Sequence, residues 1–212
     1  DQAVRVLKKC ESRIRERDEQ ERIRQELKKS VEIKTERIQS LIRQVDSARI
    51  DTVEALVAAA GQRNHDMGSH NRRVAEYSTL LAKKLGWSEG KAERLGLWAM
   101  LHDVGIIGVP DGIPLKPGPL TQEEYSIVRA HTTIGYQIIT RSGGEAMQNA
   151  AEFALTHHEN WDGSGYPQGL AGDDIPIGGR IIGLCDIYDA LLSPRPFRAA
   201  KSQEEAVRVI VE

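Results

Sequence analysis

The first residue in this 212-residue chain that can break a helix is Gly61, since no glycine or proline precedes it. A run of that length without either leaves the backbone nothing that favours a turn over a helix. Charged residues of both signs fill positions 8 to 49, and from Leu27 a 3-4 spacing sets in. It passes through Leu27, Val31, Lys34, Ile38, Leu41, Val45, Ala48, Thr52 and Ala55. That is an a/d seam, with Lys34 and Thr52 as its weak members. Upstream, Leu7, Cys10 and Ile14 suggest a shorter seam, and Arg17, Gln20 and Arg24 interrupt the register between the two. One helix cannot bury so narrow a stripe on itself. Residues 1–60 are therefore expected to form a parallel homodimeric coiled coil, reaching about 90 Å at 1.5 Å per residue. The other reading is a helix folded back on its own domain.

The formal net charge of −2 argues against a general nucleic-acid binder, because no basic excess exists to displace counterions. No apolar stretch is long enough to span a membrane. The first residue is Asp1, so the expectation is a piece of a longer protein whose upstream sensory or receiver domain lies elsewhere and whose C-terminus is truncated. Cys10 and Cys185 stand far apart without a CxxC pair, which fits a reducing, cytoplasmic setting. Cys185 reads as a small buried apolar residue.

Residues 61–212 are globular in composition, and the predicted class is all-α. Val74, Tyr77, Leu81 and Leu85 mark one face of a helix ended by Gly86. Ser88 is a cap candidate for the next helix, which carries Leu95, Trp98, Ala99 and His102 up to Gly105. Prolines 110, 114, 117 and 119 predict a loop over 106–120. Thr121–Glu124 and Ser202–Glu205 each read as a capping box, and His131 is placed on the helix that the first one opens. Further helices are expected from about 145 to 159 and from Arg180 to Leu192, with an irregular Gly- and Pro-rich excursion over 160–176.

Histidines 70, 102, 131, 157 and 158 all fall on or at the end of these helices. His65 lies in a polar turn and reads as an ordinary hydrogen-bonded residue. Asp66 and His70 are four residues apart on one helical face. Asp103 adjoins His102, and a carboxylate can bridge two metals through its two oxygens. Asp186 sits on a helix between Ile182, Leu184 and Ile187, where an unpaired carboxylate would be expensive. Each residue alone has a plainer reading: a core histidine, an exposed pair at a helix end, or Asp186 paired with Arg180. Together they predict a metal site.

The order of these residues, with the strings His102-Asp-Val-Gly105, His157-His-Glu-Asn-Trp-Asp-Gly-Ser-Gly-Tyr-Pro167 and Asp186-Ile-Tyr-Asp-Ala-Leu191, resembles the HD-GYP subgroup of the HD phosphohydrolase superfamily. The resemblance covers residues 60–212. It implies a phosphodiesterase that hydrolyses cyclic di-GMP to pGpG or GMP. It also implies two or three divalent ions, with iron or manganese favoured over nickel or zinc. The implied ligands are His70, His102, Asp103, His131, His157, His158 and Asp186, with Asp103 bridging. Asp66 stands where some members carry a Glu for a third ion, one methylene longer. His102 and Asp103 carry the implied catalytic role. Gly165, Tyr166 and Pro167 shape the pocket, with Arg195 and Arg198 gripping phosphate or guanine.

One position departs from the pattern. The subgroup usually reads HDxGK, and here Ile106 stands at the lysine. Losing one charged hydrogen bond costs about 1.5–3 kcal/mol, so turnover is expected to survive at a reduced or altered rate. Ile106 also keeps open a non-catalytic module that binds cyclic di-GMP or signalling partners. Less favoured are an HD enzyme acting on ppGpp or dNTPs and a purely structural coiled-coil protein.

Overall fold

The computed structural model describes residues 2–61, 67–113, 116, 118–141, 144, 147–194 and 199–211. Among these, all regular structure is helical apart from one isolated bridge between Asp162 and Ala171. Asp66, Arg195 and Arg198 lie outside the described residues. None of the described helices is long and apolar enough to cross a membrane.

Helix α1 spans Gln2–Gly61, 60 residues, as the absence of Gly and Pro predicts. The chain divides into two compact units, Asp1–Arg49 and Ile50–Glu212. In the first unit the seam residues Leu27, Val31, Ile38, Leu41 and Val45 are 43–64% exposed, and Leu7 and Ile14 are exposed as well. Pairs one turn apart, such as Arg22 with Glu19 at 2.8 Å, add only a few tenths of a kcal/mol each at such exposure.

The second unit begins inside α1, whose last turns bury Val53, Val57 and Ala60. It continues with α2 (Met67–Lys84), α3 (Glu89–Ala99), a 3₁₀ turn (Val104–Gly108), α4 (Gln122–Arg129), α5 (His131–Thr140), α6 (Gln148–Thr156), α7 (Ile177–Leu192) and α8 (Gln203–Val211). Helix α2 packs on α3 and α7, while α5 packs on α6 and the 3₁₀ turn; α6 also meets α7 and α3. One core cluster gathers Val74, Leu95, Phe153, Ile181 and Ile182; a second gathers Val53, Val57, Leu101, Val104 and Ile139. Trp98 and Met100 touch both clusters. Leu95, Leu101 and Ile182 are fully buried, each contributing about 1.5–3 kcal/mol.

Both predicted capping boxes form. Glu124 N–H donates to Thr121 Oγ1 at 3.2 Å and Thr121 N–H to Glu124 Oε2 at 2.8 Å; the Ser202–Glu205 pair does the same at 3.2 and 2.9 Å. Three expectations are corrected. Ser88 precedes α3 but makes no side-chain cap; its carbonyl takes the Lys91 and Ala92 N–H groups at 3.0 Å. Helix α3 stops at Ala99 instead of running to Gly105, because the chain tightens into turns through His102 and then the 3₁₀ turn. The helix opened by Thr121 ends at Arg129, so His131 starts a separate helix after Ala130.

Candidate metal centre

Helix ends, rather than helix faces, position three of the histidines. His102 follows the end of α3, His131 begins α5 just past the end of α4, and His157 follows α6. In each case Nδ1 meets the carbonyl oxygen three residues back: Ala99 at 2.7 Å, Val128 at 2.7 Å and Ala154 at 2.9 Å. A carbonyl only accepts, so each Nδ1 carries a proton, and in the neutral ring Nε2 is the nitrogen with the lone pair. The last turn of a helix offers carbonyls without intrahelical partners, which is why the arrangement recurs.

The Nε2 atoms converge on Asp103. Its Oδ2 lies 3.3 Å from His102 Nε2, and its Oδ1 lies 3.2 Å from His131 Nε2 and 3.6 Å from His157 Nε2. Two donor groups result, and Asp103 belongs to both. One is His70, His102 and Asp103; the other is Asp103, His131, His157 and His158. Each group keeps one ligand atom per residue within 4.8 Å of the others, and either could hold a metal ion.

Close approach of the backbone makes this possible. A Cβ on Gly105 would collide with the His131 carbonyl oxygen and the Gly135 nitrogen, so only glycine lets the 3₁₀ turn lie against α5. That contact brings Asp103 beside His131.

His70 is held from another direction. Its Nδ1 donates to Asp189 Oδ2 at 2.7 Å, which turns Nε2 towards Asp186 Oδ1 at 3.3 Å. Asp189 is buried and also accepts from Arg73, Nε at 2.7 Å and Nη2 at 3.0 Å. Sequence reasoning missed Asp189 and Arg73, although a signal was present. His70 and Arg73 are three apart on α2, and Asp186 and Asp189 are three apart on the facing helix α7. Asp186 does not pair with Arg180, which bonds Asp173 at 2.9 Å. Its neighbours Leu184 and Ile187 are exposed, so Asp186 lies at the margin of the core and not within it.

The loop after His158 is pinned by a third missed residue. Buried Glu159 accepts the Gln168 N–H at 2.7 Å and the Leu170 N–H at 3.0 Å. Tyr166 N–H donates to the His158 carbonyl at 3.1 Å, and the Tyr166–Pro167 bond is cis. Gly163 and Gly169 take φ of +79° and +68°, as a glycine-rich excursion predicts. The Tyr166 ring stacks on His158 with centroids 4.8 Å apart. Gly165 and Pro167 belong to this loop, and Ile106 is half-buried in the 3₁₀ turn.

The electrostatics favour positive charge at the centre. Burial works against a charged His102, but Asp103 beside it outweighs burial and holds the ring up to about 9. Burial also pushes the Asp103 carboxyl up, yet the His102 charge and the three facing imidazoles keep it well below the usual range. Burial and the neighbouring His157 bring His158 down to about 3, so it is neutral and free to ligate. His157 is lowered too, chiefly by burial. Burial lifts the thiol of Cys185 to about 11, in keeping with an inert core residue.

The donor set fits a divalent cation on two observations. His102 Nε2 is buried and makes no well-formed hydrogen bond among the described residues, with Asp103 Oδ2 its near neighbour at 3.3 Å. His131 Nε2 and His157 Nε2 face each other at 3.4 Å, a contact that a proton on one ring or a metal ion between the two must occupy. Imidazole with carboxylate suits iron, manganese, nickel and zinc.

Comparison with known proteins agrees. The model of a family described as HD domain matches residues 54–212. The chain is 41% identical over 184 residues to a cyclic di-GMP phosphodiesterase of Thermotoga maritima, covering 87% of this chain and 50% of that protein. It is 37% identical over 172 residues to a cyclic di-GMP phosphodiesterase response regulator of Xanthomonas campestris, covering 81% and 46%. It is also 43% identical over 155 residues to a 3′3′-cGAMP-specific phosphodiesterase of Vibrio cholerae, covering 73% and 30%. The chain thus spans half or less of the length of these relatives. Among solved structures, an HDG"Y"P protein of Bdellovibrio bacteriovorus shares the fold at a TM-score of 0.52 and 22% identity, over 67% of this chain and 45% of that one. With a matching model over three quarters of its length and HD-GYP strings in place, the chain belongs to the HD domain family.

Proposed function

We propose that this chain is the catalytic part of a metal-dependent phosphodiesterase that hydrolyses cyclic di-GMP to pGpG, GMP or both. The observation that carries the reading is Asp103, which turns one oxygen to each of two imidazole groups. That is the arrangement a carboxylate needs to bridge two ions. His70, His102, His131, His157, His158 and Asp186 would complete the ligand set, with Asp66 assigned to a third ion by the family resemblance. Iron or manganese is the expected metal, two or three ions in number. When bound, paired divalent ions lower the pKa of water and neutralise phosphate oxygens.

The protein's own groups supply the rest. Ala99, Val128 and Ala154 fix the imidazole tautomers, so Nε2 lone pairs aim inward without reorganisation. Asp189 does the same for His70 through its carboxylate. Tyr166 keeps its phenol proton because burial raises its pKa, which leaves an O–H able to donate to a phosphate oxygen. Glu159 holds the loop that presents it. Arg195 and Arg198 are assigned to the distal phosphate or guanine, and the α1 seam to a parallel dimer that passes on a signal from an upstream domain in the cytoplasm.

Incubating metal-loaded protein with cyclic di-GMP and separating products by chromatography tests the reading. Formation of pGpG or GMP is expected, faster than hydrolysis of 3′3′-cGAMP. A second reading, a binding module without turnover, is favoured by Ile106; tight binding with no product would establish it. Elemental analysis of anaerobically purified protein identifies the ions.

A further inference from the structure

Arg129 ends α4, two residues before His131. Its guanidinium carbon lies 4.6 Å from the centre of the Tyr125 ring and 4.6 Å from the centre of the Tyr166 ring. Tyr166 lies in turn against His158, rings 28° from parallel. A single aromatic ring therefore separates this cation from a residue of the donor cluster. The side chain is exposed, and among the described residues no carboxylate pairs with it. Glu124, on the same helix, is committed to Lys116 at 2.8 Å and to the Thr121 cap. Among the described residues, Arg73 is paired with Asp189 and Arg180 with Asp173.

Two ring faces hold a guanidinium by its flat sides and leave its N–H edges free. Those edges are what grips a phosphate bidentately. A side chain already held by the rings also loses less rotamer freedom when a ligand arrives. Position 106 follows Gly105, which lies against the His131 carbonyl. Isoleucine there offers no charge.

We propose that Arg129, held between Tyr125 and Tyr166, is a phosphate-anchoring residue of this site and supplies the cationic contact that Ile106 does not. The proposal deepens the phosphodiesterase reading and rests on it for the identity of the substrate. The shared chemistry is narrower: a phosphate oxygen beside the metal centre.

The test uses the full metal-loaded chain and two probes. Inorganic phosphate binding is measured by calorimetry, and cyclic di-GMP turnover by steady-state kinetics. Arg129→Gln should weaken phosphate binding and lower kcat/KM by about 10- to 150-fold, the range for losing one charged hydrogen bond. Metal content and circular dichroism should match the parent. Arg129→Lys should lie between, because it keeps the charge and loses the fork. Adding Ile106→Lys to Arg129→Gln should restore part of both losses, a rescue that a merely structural role for Arg129 would not show. Phosphate affinity within twofold of the parent, or no phosphate binding by the parent, would overturn the proposal. Loss of metal in both Arg129 variants would overturn it too, by making the residue structural. Arg129-dependent phosphate binding without cyclic di-GMP hydrolysis would leave the anchor standing and remove the substrate assignment. Unimpaired turnover in Arg129→Gln would do the reverse.

Discussion

Asp189→Asn is the substitution that tests most directly whether the buried carboxylate behind His70 builds the site. Asp189 Oδ1 accepts from Arg73 Nε at 2.7 Å, and Oδ2 accepts from Arg73 Nη2 at 3.0 Å and His70 Nδ1 at 2.7 Å. Asparagine keeps the shape but has one acceptor oxygen. Its NH2 group must then point at either the Arg73 or the His70 donor, and one strong charged bond is lost. That costs about 1.5–3 kcal/mol, or about 3–12 °C in Tm for a protein of this size. The same loss frees the His70 ring, and removing such a supporting partner typically lowers metal affinity about 10- to 100-fold. Ser193→Ala is the control, because its hydroxyl makes only long bonds here, to Asp189 Oδ2 at 3.4 Å and from Arg73 Nη2 at 3.3 Å.

The assay is thermal unfolding at several pH values, paired with metal retention against graded chelator. Burial pushes the Asp189 carboxyl up, but bonds from Arg73 and His70 outweigh it and leave the folded value below the ordinary one. A lowered folded pKa means the stabilisation is complete above the unfolded value near ~4 and is lost as pH falls through the folded value. The gap between parent and Asp189→Asn should therefore be full at pH 7 and shrink in strong acid. A drop in Tm with unchanged metal affinity would refute the orienting role. No change in either would refute the energetic argument as well.

His102→Ala or Asp103→Ala should abolish turnover and bound metal while helix content, by circular dichroism, stays near the parent's; full turnover in both would undo the site assignment. Glu159→Gln leaves one of the Gln168 and Leu170 N–H groups without its acceptor, so KM should rise several-fold at constant metal content; an unchanged KM would mean the loop is held by other contacts. Because the proton on His102 persists to about pH 9 and a metal must displace it, metal affinity should climb between pH 6 and 9; a flat profile in competition titrations would contradict that.

The helical architecture was legible because its signals are local. Missing breakers gave α1, and a Thr or Ser three residues before a Glu gave two caps that formed as read. Histidines 70, 102, 131, 157 and 158 with Asp103 were named as candidate ligands from their types, their order and the family resemblance, and the structure brings these six together in two donor groups. What escaped was set by contacts between elements. His102 looked like a helical-face residue, yet α3 stops at Ala99 and the ring turns back to that carbonyl. No periodicity encodes a helix that ends to free an acceptor for an imidazole. Asp189 escaped because a carboxylate one turn beyond Asp186 reads as a second surface charge until α2 is laid against α7 and Arg73 with His70 arrives opposite. Arg129 escaped because its meaning lies in Tyr166, 37 residues away in sequence, which reaches it only when the loop after His158 folds back over α4.

The geometry of Asp103 ties these strands together. Its two oxygens could serve two separate groups only if the 3₁₀ turn carrying it sat flush on α5, and that required a glycine at position 105 facing the His131 carbonyl. The Gly in the string His102-Asp-Val-Gly105 is thus as much a requirement of the centre as the histidine and aspartate. Any side chain there pushes the turn away from His131, so the second donor group loses its shared carboxylate before any ligand has been changed.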